Sequence, residues 1–195
     1  VAREFAEQFE TPHIPSWPSF AGKDASPWRR LRVGLLSPDF NDHSVMYFAE
    51  SLFNYLDRRQ FELIALYLNA GDGLVTQRVR RKADRFVELN RKNTAEQMRM
   101  IKKLEIDILM DLAGHTAKNG LITMAHKPAP VQFAWLGYPG TTGLSAIDWR
   151  ITDEVADLPG SDDQYTEKLI RLPPPFCVYR PCIRQIGRAS CRERV

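Results

Sequence analysis

The chain is short of several things, and each shortage excludes a class of protein. No run of about 18 apolar residues occurs, so no segment reads as a membrane-spanning helix. No secretory leader pattern is present. Cysteines number three, without a CxxC pair, which is neither a disulfide framework nor a zinc module. No Walker sequence and no GxSxG occur. The first strand-to-helix turn holds no GxGxxG, which argues against the usual dinucleotide fingerprint. Charge of one sign is also scarce: the formal net charge is +3. These shortages lead to the expectation of a soluble, cytoplasmic protein of a reducing compartment, with no nucleic-acid or membrane partner.

Most of that small positive charge sits in the last ten residues, Ile186 to Val195, IGRASCRERV. Back-translated as ATC GGA AGA GCG TCG TGT AGG GAA AGA GTG, they match a common short-read sequencing adapter. They read as an assembly scar and are set aside from fold reasoning. Arg188, Arg192 and Arg194 with little apolar content make this tail an expected disordered segment. Cys191 belongs to it, which leaves Cys177 and Cys182.

Three domain-level segments result. Residues 1–30 form a lead-in. Val1 to Glu10 has helical spacing, with Phe5 and Phe9 four apart, and Thr11 to Arg30 is an ordered linker rich in Pro, Ser and Trp. Residues 31–181 form one α/β domain, long enough for a real core. Residues 186–195 are the scar.

Within the domain, strands and helices alternate. Strands are expected at Leu31–Leu36, Phe61–Leu68, Arg85–Leu89, Ile106–Leu112, Val131–Leu136, Trp149–Thr152 and Lys168–Leu172. Helices are expected at Val45–Tyr55, Leu74–Lys82, Thr94–Leu104 and Asn119–Ala125. Thr94 followed by Gln97 reads as a capping box. The alternation predicts a parallel sheet covered by helices on both faces.

The stretch VQFAWLGYPGTTG, Val131 to Gly143, carries the most information. A buried strand empties into Gly137-Tyr138-Pro139-Gly140-Thr141-Thr142-Gly143. Glycines admit close approach of a ligand to backbone, and Thr141 and Thr142 offer hydroxyls beside N–H groups. In an open α/β sheet this is the ligand edge. Two other turns share that edge. Ser37 to Ser44 brings Asp39 and His43, a carboxylate and an imidazole able to handle protons. Asp111 to Thr116 brings Gly114, His115 and Thr116. Each turn alone also fits a plain strand-to-helix connection, with Asp39 as a turn residue and His43 as a satisfied loop residue. The convergence of three glycine-bearing or polar loops on one edge is the stronger signal. His13 and His126 lack such company and read as surface histidines. Asp162-Asp163 reads as a solvated turn, and no metal site is expected.

With these loops identified, the chain resembles the protein O-linked N-acetylglucosamine transferases, most closely their SPINDLY-type members. The matching segments are LRVGLLSPDFNDHSVMYF (Leu31–Phe48), IDILMDLAGHTAKN (Ile106–Asn119), KPAPVQFAWLGYPGTTGL (Lys127–Leu144) and DWRITDEVADLPG (Asp148–Gly160). The resemblance covers Leu31 to Pro181. It implies a Rossmann-like parallel sheet with helices on both faces, the N-terminal half of a GT-B fold. It also implies that residues 1–30 are the end of a helical, tetratricopeptide-type lead-in.

The implied activity is metal-independent, inverting transfer of N-acetylglucosamine from UDP-N-acetylglucosamine to Ser or Thr hydroxyls of protein acceptors, with no bound cofactor. Asp39 and His43 match positions implicated in catalysis, His43 mainly for positioning and Asp39 as a possible proton relay. Leu136 and Gly137 match donor-contacting positions, and the donor reading extends through Tyr138, Pro139, Gly140, Thr141 and Thr142. Gly114, His115 and Thr116 line the cleft. One departure concerns the sugar: Ser44-Val45 follow His43 where the animal enzymes have Pro-Thr, which looks more like plant SPINDLY and its donor GDP-fucose. Two readings from other classes stand beside this one: a Rossmann-type oxidoreductase, disfavoured by SPDFND in the first turn, and a non-enzymatic nucleotide-binding or interaction module.

Overall fold

A computed structural model describes residues 1–24, 26 and 28–180. The scar, Cys182, and the far end of the domain at Pro181 lie outside the described residues. Helix α1 spans Ala2–Phe9 and runs into a 3-10 turn at Thr11–Ser16. The domain then alternates β1 (Leu31–Ser37), α2 (Met46–Tyr55), β2 (Phe61–Tyr67), α3 (Leu74–Lys82), β3 (Arg85–Glu88), α4 (Thr94–Leu104), β4 (Ile108–Asp111), α5 (Leu121–Ala125), β5 (Val131–Ala134), β6 (Trp149–Asp153) and β7 (Lys168–Leu172).

All seven strands pair in parallel in the order β3-β2-β1-β4-β5-β6-β7. The fold is α/β and Rossmann-like, as the alternation implied. Chain order runs outward from β1 to β3, then jumps back to β4 on the other flank of β1. That reversal is a topological switch point, where open α/β sheets bind ligands beyond the strands' carboxyl ends.

Period-two alternation sorts the core onto the two faces. Val33 and Leu35 of β1, with Leu63, Ala65 and Tyr67 of β2, face α2 and α3 through Met46, Ala49, Phe53, Val75 and Val79. Leu36, Ile64 and Leu66 face the other way, onto Ile101 of α4, Leu121 and Met124 of α5, and Phe5 of α1. Near-complete burial of each such Leu or Ile stabilises by about 1.5–3 kcal/mol.

Element boundaries differ from the sequence reading in ways that have causes. The box that starts α4 is one residue earlier. Asn93 Oδ1 accepts the Glu96 N–H and Glu96 Oε2 accepts the Asn93 N–H, while Gln97 reaches back to the Leu89 and Lys92 carbonyls. Strand β5 stops at Ala134 because Leu136 takes φ 81°, a left-handed conformation that turns the chain.

The lead-in is tied to the sheet's amino edge. Asp107, just before β4, accepts a two-pronged bond from Arg29 (2.6 and 2.7 Å) and the Arg32 N–H (2.8 Å), and pairs with Lys23 at 2.6 Å. Trp17 Nε1 donates to the Ala125 carbonyl (2.9 Å). His13 and His126 are half-buried and lie ring to ring at 3.9 Å, so they are partners across the joint rather than isolated surface residues. Burial, and then the neighbouring His13, lower the His126 pKa.

Candidate functional site

The carboxyl ends of β1, β4 and β5 bring the three sequence-marked loops to the switch point. In the first, Phe40 is wholly buried against Phe53 and Tyr67, with ring centroids 5.8 and 5.9 Å apart. That anchor leaves Asp39 half-buried and His43 more open. His43 Nδ1 accepts the Val45 N–H (3.3 Å) and stands 3.8 Å from Asp39 Oδ2, beyond hydrogen-bond reach. Burial raises the Asp39 carboxyl above its ordinary value, and the nearby His43 partly offsets this. A carboxylate raised toward neutrality beside an imidazole is a pair suited to accepting a proton.

The second loop starts from Asp111, the last residue of β4 and 1% exposed. Its Oδ2 accepts the Gly114 N–H at 2.6 Å, and its Oδ1 has no hydrogen-bond partner among the described residues. Burial pushes its pKa up to about 6; the bonds from Gly114 and Ala113 oppose the rise, and the charges of Asp39 and Glu167 add to it. Gly114 has φ 55°, and a Cβ there would lie 2.3 Å from Tyr138 Cβ, so the second and third loops interlock only with glycine at this position. His115 is half-buried. Its Nε2 faces the Thr142 carbonyl at 2.9 Å and therefore carries the proton. Thr116 is exposed.

The third loop is held by charged residues from beyond it. Arg150 of β6, 5% exposed, donates to the carbonyls of Tyr138 (3.0 Å), Pro139 (3.0 Å) and Gly140 (3.2 Å). A trans peptide sets its N–H opposite its C=O. The N–H groups of Gly140 and Thr141 are thus turned away from Arg150, and neither bonds to another described residue. Gly137 allows the loop to leave the strand: a Cβ there would lie 2.0 Å from the Leu112 carbonyl oxygen.

The two threonines do something other than expected. Glu167, 3% exposed, accepts Thr141 Oγ1 (2.7 Å), the Thr142 N–H (2.7 Å) and the Thr142 hydroxyl. Thr142 itself is buried. Both hydroxyls and the Thr142 N–H are committed to holding the loop. The donors left without a partner among the described residues are the main-chain N–H groups of Gly140 and Thr141.

Sequence reasoning missed the residues that hold this loop. Arg150, Glu167 and Asp111 are not motif residues of a turn. The usable signal for Arg150 was a cation inside the otherwise strand-like WRITD; Glu167 offered none. Asp111, Trp135 and Arg150 line one small void together with loop residues Tyr138, Gly140 and Thr142, and Asp111 Oδ1, Trp135 Nε1 and Arg150 Nε have no hydrogen-bond partner among the described residues. Arg150 Nε comes within 3.6 Å of Asp157 Oδ2, an ion pair too long for a hydrogen bond. Asp162, half of the expected solvated turn, is gripped by Arg171 (3.0 and 2.8 Å). Among the described residues no three His, Cys, Asp or Glu side chains are grouped to hold a metal ion, and no helix is long and apolar enough to cross a membrane.

Comparison with known proteins points to one family. The model of glycosyl transferase family 41 matches residues 7–180. A protein of Arabidopsis thaliana named "Probable UDP-N-acetylglucosamine--peptide N-acetylglucosaminyltransferase SPINDLY" is 38% identical over 174 residues, which is 87% of this chain and 19% of that protein. Its namesake from Solanum lycopersicum is 37% identical over 85% of this chain and 18% of its own length. Among solved structures, a mutant O-GlcNAc transferase of Thermobaculum terrenum superposes with a TM-score of 0.81 at 34% identity, covering 89% of this chain and 35% of that one. The chain belongs to glycosyl transferase family 41. It spans about a fifth of the length of these curated relatives.

Proposed function

We propose that the chain is the N-terminal lobe of a two-lobed, GT-B-type enzyme that transfers N-acetylglucosamine from UDP-N-acetylglucosamine to Ser or Thr hydroxyls of proteins. The observation that carries this reading is the meeting, at one switch point, of the Asp39–His43 couple with main-chain N–H groups that have no partner among the described residues. The donors, the N–H groups of Gly140 and Thr141, suit the diphosphate of the leaving nucleotide, where negative charge grows as the sugar departs. Asp39 suits the acceptor's proton, directly or through water, with His43 orienting it. The sugar passes from phosphate oxygen to hydroxyl oxygen with inversion, and the proton leaves the hydroxyl as the bond forms. Leu136 and Gly137 are assigned to the donor, and Gly114, His115 and Thr116 to the cleft wall. No metal is assigned a role. The lead-in is read as the end of a tetratricopeptide-type region, and the second lobe as the source of the remaining nucleotide contacts. A cytoplasmic location accompanies this reading.

A second donor is favoured by one observation. Ser44-Val45 after His43 follow the plant SPINDLY pattern, so GDP-fucose is the rival. The deciding experiment incubates the two-lobed protein with each labelled nucleotide sugar and a cell lysate. Label from UDP-N-acetylglucosamine on Ser and Thr is the expected result. Label from GDP-fucose alone would replace the first donor with the second.

A further inference from the structure

Arg150 and Glu167 hold the candidate donor loop from the side of β6 and β7. A third hold comes from the opposite end of the chain. Glu10 directly follows α1 and is 3% exposed, although α1 itself buries no residue fully. Its Oε2 accepts the N–H and the hydroxyl of Ser145 (3.0 Å each), and its Oε1 accepts the Ala146 N–H (2.6 Å). No cation pairs with it among the described residues. A carboxylate is costly to bury unless its oxygens are satisfied, and here main-chain and hydroxyl donors at the end of the loop satisfy them.

Two further contacts join α1 to the same loop. The Ala2 carbonyl oxygen stands 2.4 Å from where a Cβ would sit on Gly143, whose φ is 79°. The Phe5 ring meets the His115 ring edge to face at 5.1 Å, and His115 binds the Thr142 carbonyl and packs on Tyr138 at 5.4 Å. The lead-in therefore meets the loop directly at Gly143, Ser145 and Ala146, and through His115 at Tyr138 and Thr142.

We propose that Glu10 is a positioning residue for the candidate donor loop. By fixing Ser145 and Ala146 it fixes the backbone path back to Tyr138, so the unpartnered N–H groups of Gly140 and Thr141 are set before a ligand arrives. Donors set in advance cost no reordering on binding. The identity of the ligand rests on the function proposed above; the coupling of lead-in to loop does not.

The test uses two variants. Glu10→Gln keeps the shape but turns an amide NH2 toward one of the three donors. Ser145→Ala removes one bond of the three. Hydrogen exchange is read amide by amide in the 195-residue chain. Glu10→Gln should speed exchange of the hydrogen-bonded Thr142, Ser145 and Ala146 amides by about tenfold or more, with β1 and β2 amides changed less than about twofold. Ser145→Ala should act at the same amides by a smaller factor. In the two-lobed protein, Glu10→Gln should lower kcat/KM for the nucleotide sugar about tenfold, through a lower kcat as well as a higher KM, because the displaced donors also face the charge that grows on the leaving diphosphate. Unchanged loop exchange, or exchange raised equally in β1 and β2, would overturn the proposal. If Glu10→Gln does not fold, Ser145→Ala decides by the same criterion. A two-lobed wild type that transfers neither sugar, with the loop amides still responding, would sink the functional reading and leave the coupling intact.

Discussion

Strand β4 carries a carboxylate at each end, and the two live in opposite surroundings. Asp107 at the amino end and Asp111 at the carboxyl end are both nearly inaccessible. Burial by itself would raise both. At Asp107 the Arg29 fork, the Arg32 N–H and Lys23 outweigh burial and hold the carboxyl well below the usual carboxylate range. At Asp111 no cation pairs with it among the described residues; burial dominates, and one oxygen is left unpartnered. The difference distinguishes the two edges of the sheet. The amino edge is electrostatically complete, even where a groove of about 510 Å³ opens between the lead-in and α4. The carboxyl edge keeps a buried carboxylate oxygen and two main-chain N–H groups without a partner among the described residues, and a raised Asp39.

The largest effect is expected at Asp39 and His43, on the carboxyl edge. In the two-lobed protein, Asp39→Asn and His43→Ala should each lower kcat by roughly ten- to ten-thousandfold if the pair handles the acceptor proton. Folding should survive, because both lie in a turn anchored by Phe40. Wild-type turnover in either variant with normal donor affinity returns that residue to an ordinary turn role.

At the complete edge the effect falls on stability instead. Asp107→Ala strands Arg29 and Lys23 and should cost about 3–5 kcal/mol in urea unfolding at neutral pH. The sign with pH follows from the lowered carboxyl. Its stabilisation is present above the unfolded value near 3.9 and is lost as pH falls through the folded value, so the variant's deficit should shrink in acid. A deficit below about 1 kcal/mol at neutral pH would mean the edge is not held by this residue.

Asp111 should behave in the opposite sense and more weakly. Its folded value of about 6 lies above the unfolded one, so its ionisation costs stability as pH rises from about 4 through 6. Asp111→Asn should therefore gain on wild type by about 2 kcal/mol between pH 4.5 and 7.5. A stability difference that does not vary with pH would show Asp111 to be an ordinary carboxylate.

The unevenness between the edges also explains what was legible in sequence. All seven strands were readable because buried parallel strands are short apolar runs between turn residues, and the turns after β1, β4 and β5 announced themselves by Gly, His and Asp. What holds those turns was not readable. Arg150 lies ten to twelve residues from the carbonyls it binds, Glu167 lies 25 from Thr142, and Glu10 lies 135 from Ser145. Single charged residues at such separations have no periodicity to betray them. The same blindness made Thr141 and Thr142 look free for a ligand and His13 and His126 look solitary. Asn93 was passed over as a cap because Thr94 beside it has an equally good side chain.

The proposed function makes the carboxyl edge one half of a sugar-transfer cleft, completed by a second lobe. Transfer of labelled N-acetylglucosamine from UDP-N-acetylglucosamine to lysate proteins, measured side by side for this chain and for the two-lobed protein, tests it most directly. The chain alone should unfold cooperatively yet transfer nothing, because the diphosphate lacks most of its stabilising donors and water is not excluded. The two-lobed protein should transfer, and should slow by at least about tenfold when Asp39 is replaced by Asn. Measurable transfer by the purified 195-residue chain would show instead that the site is already whole.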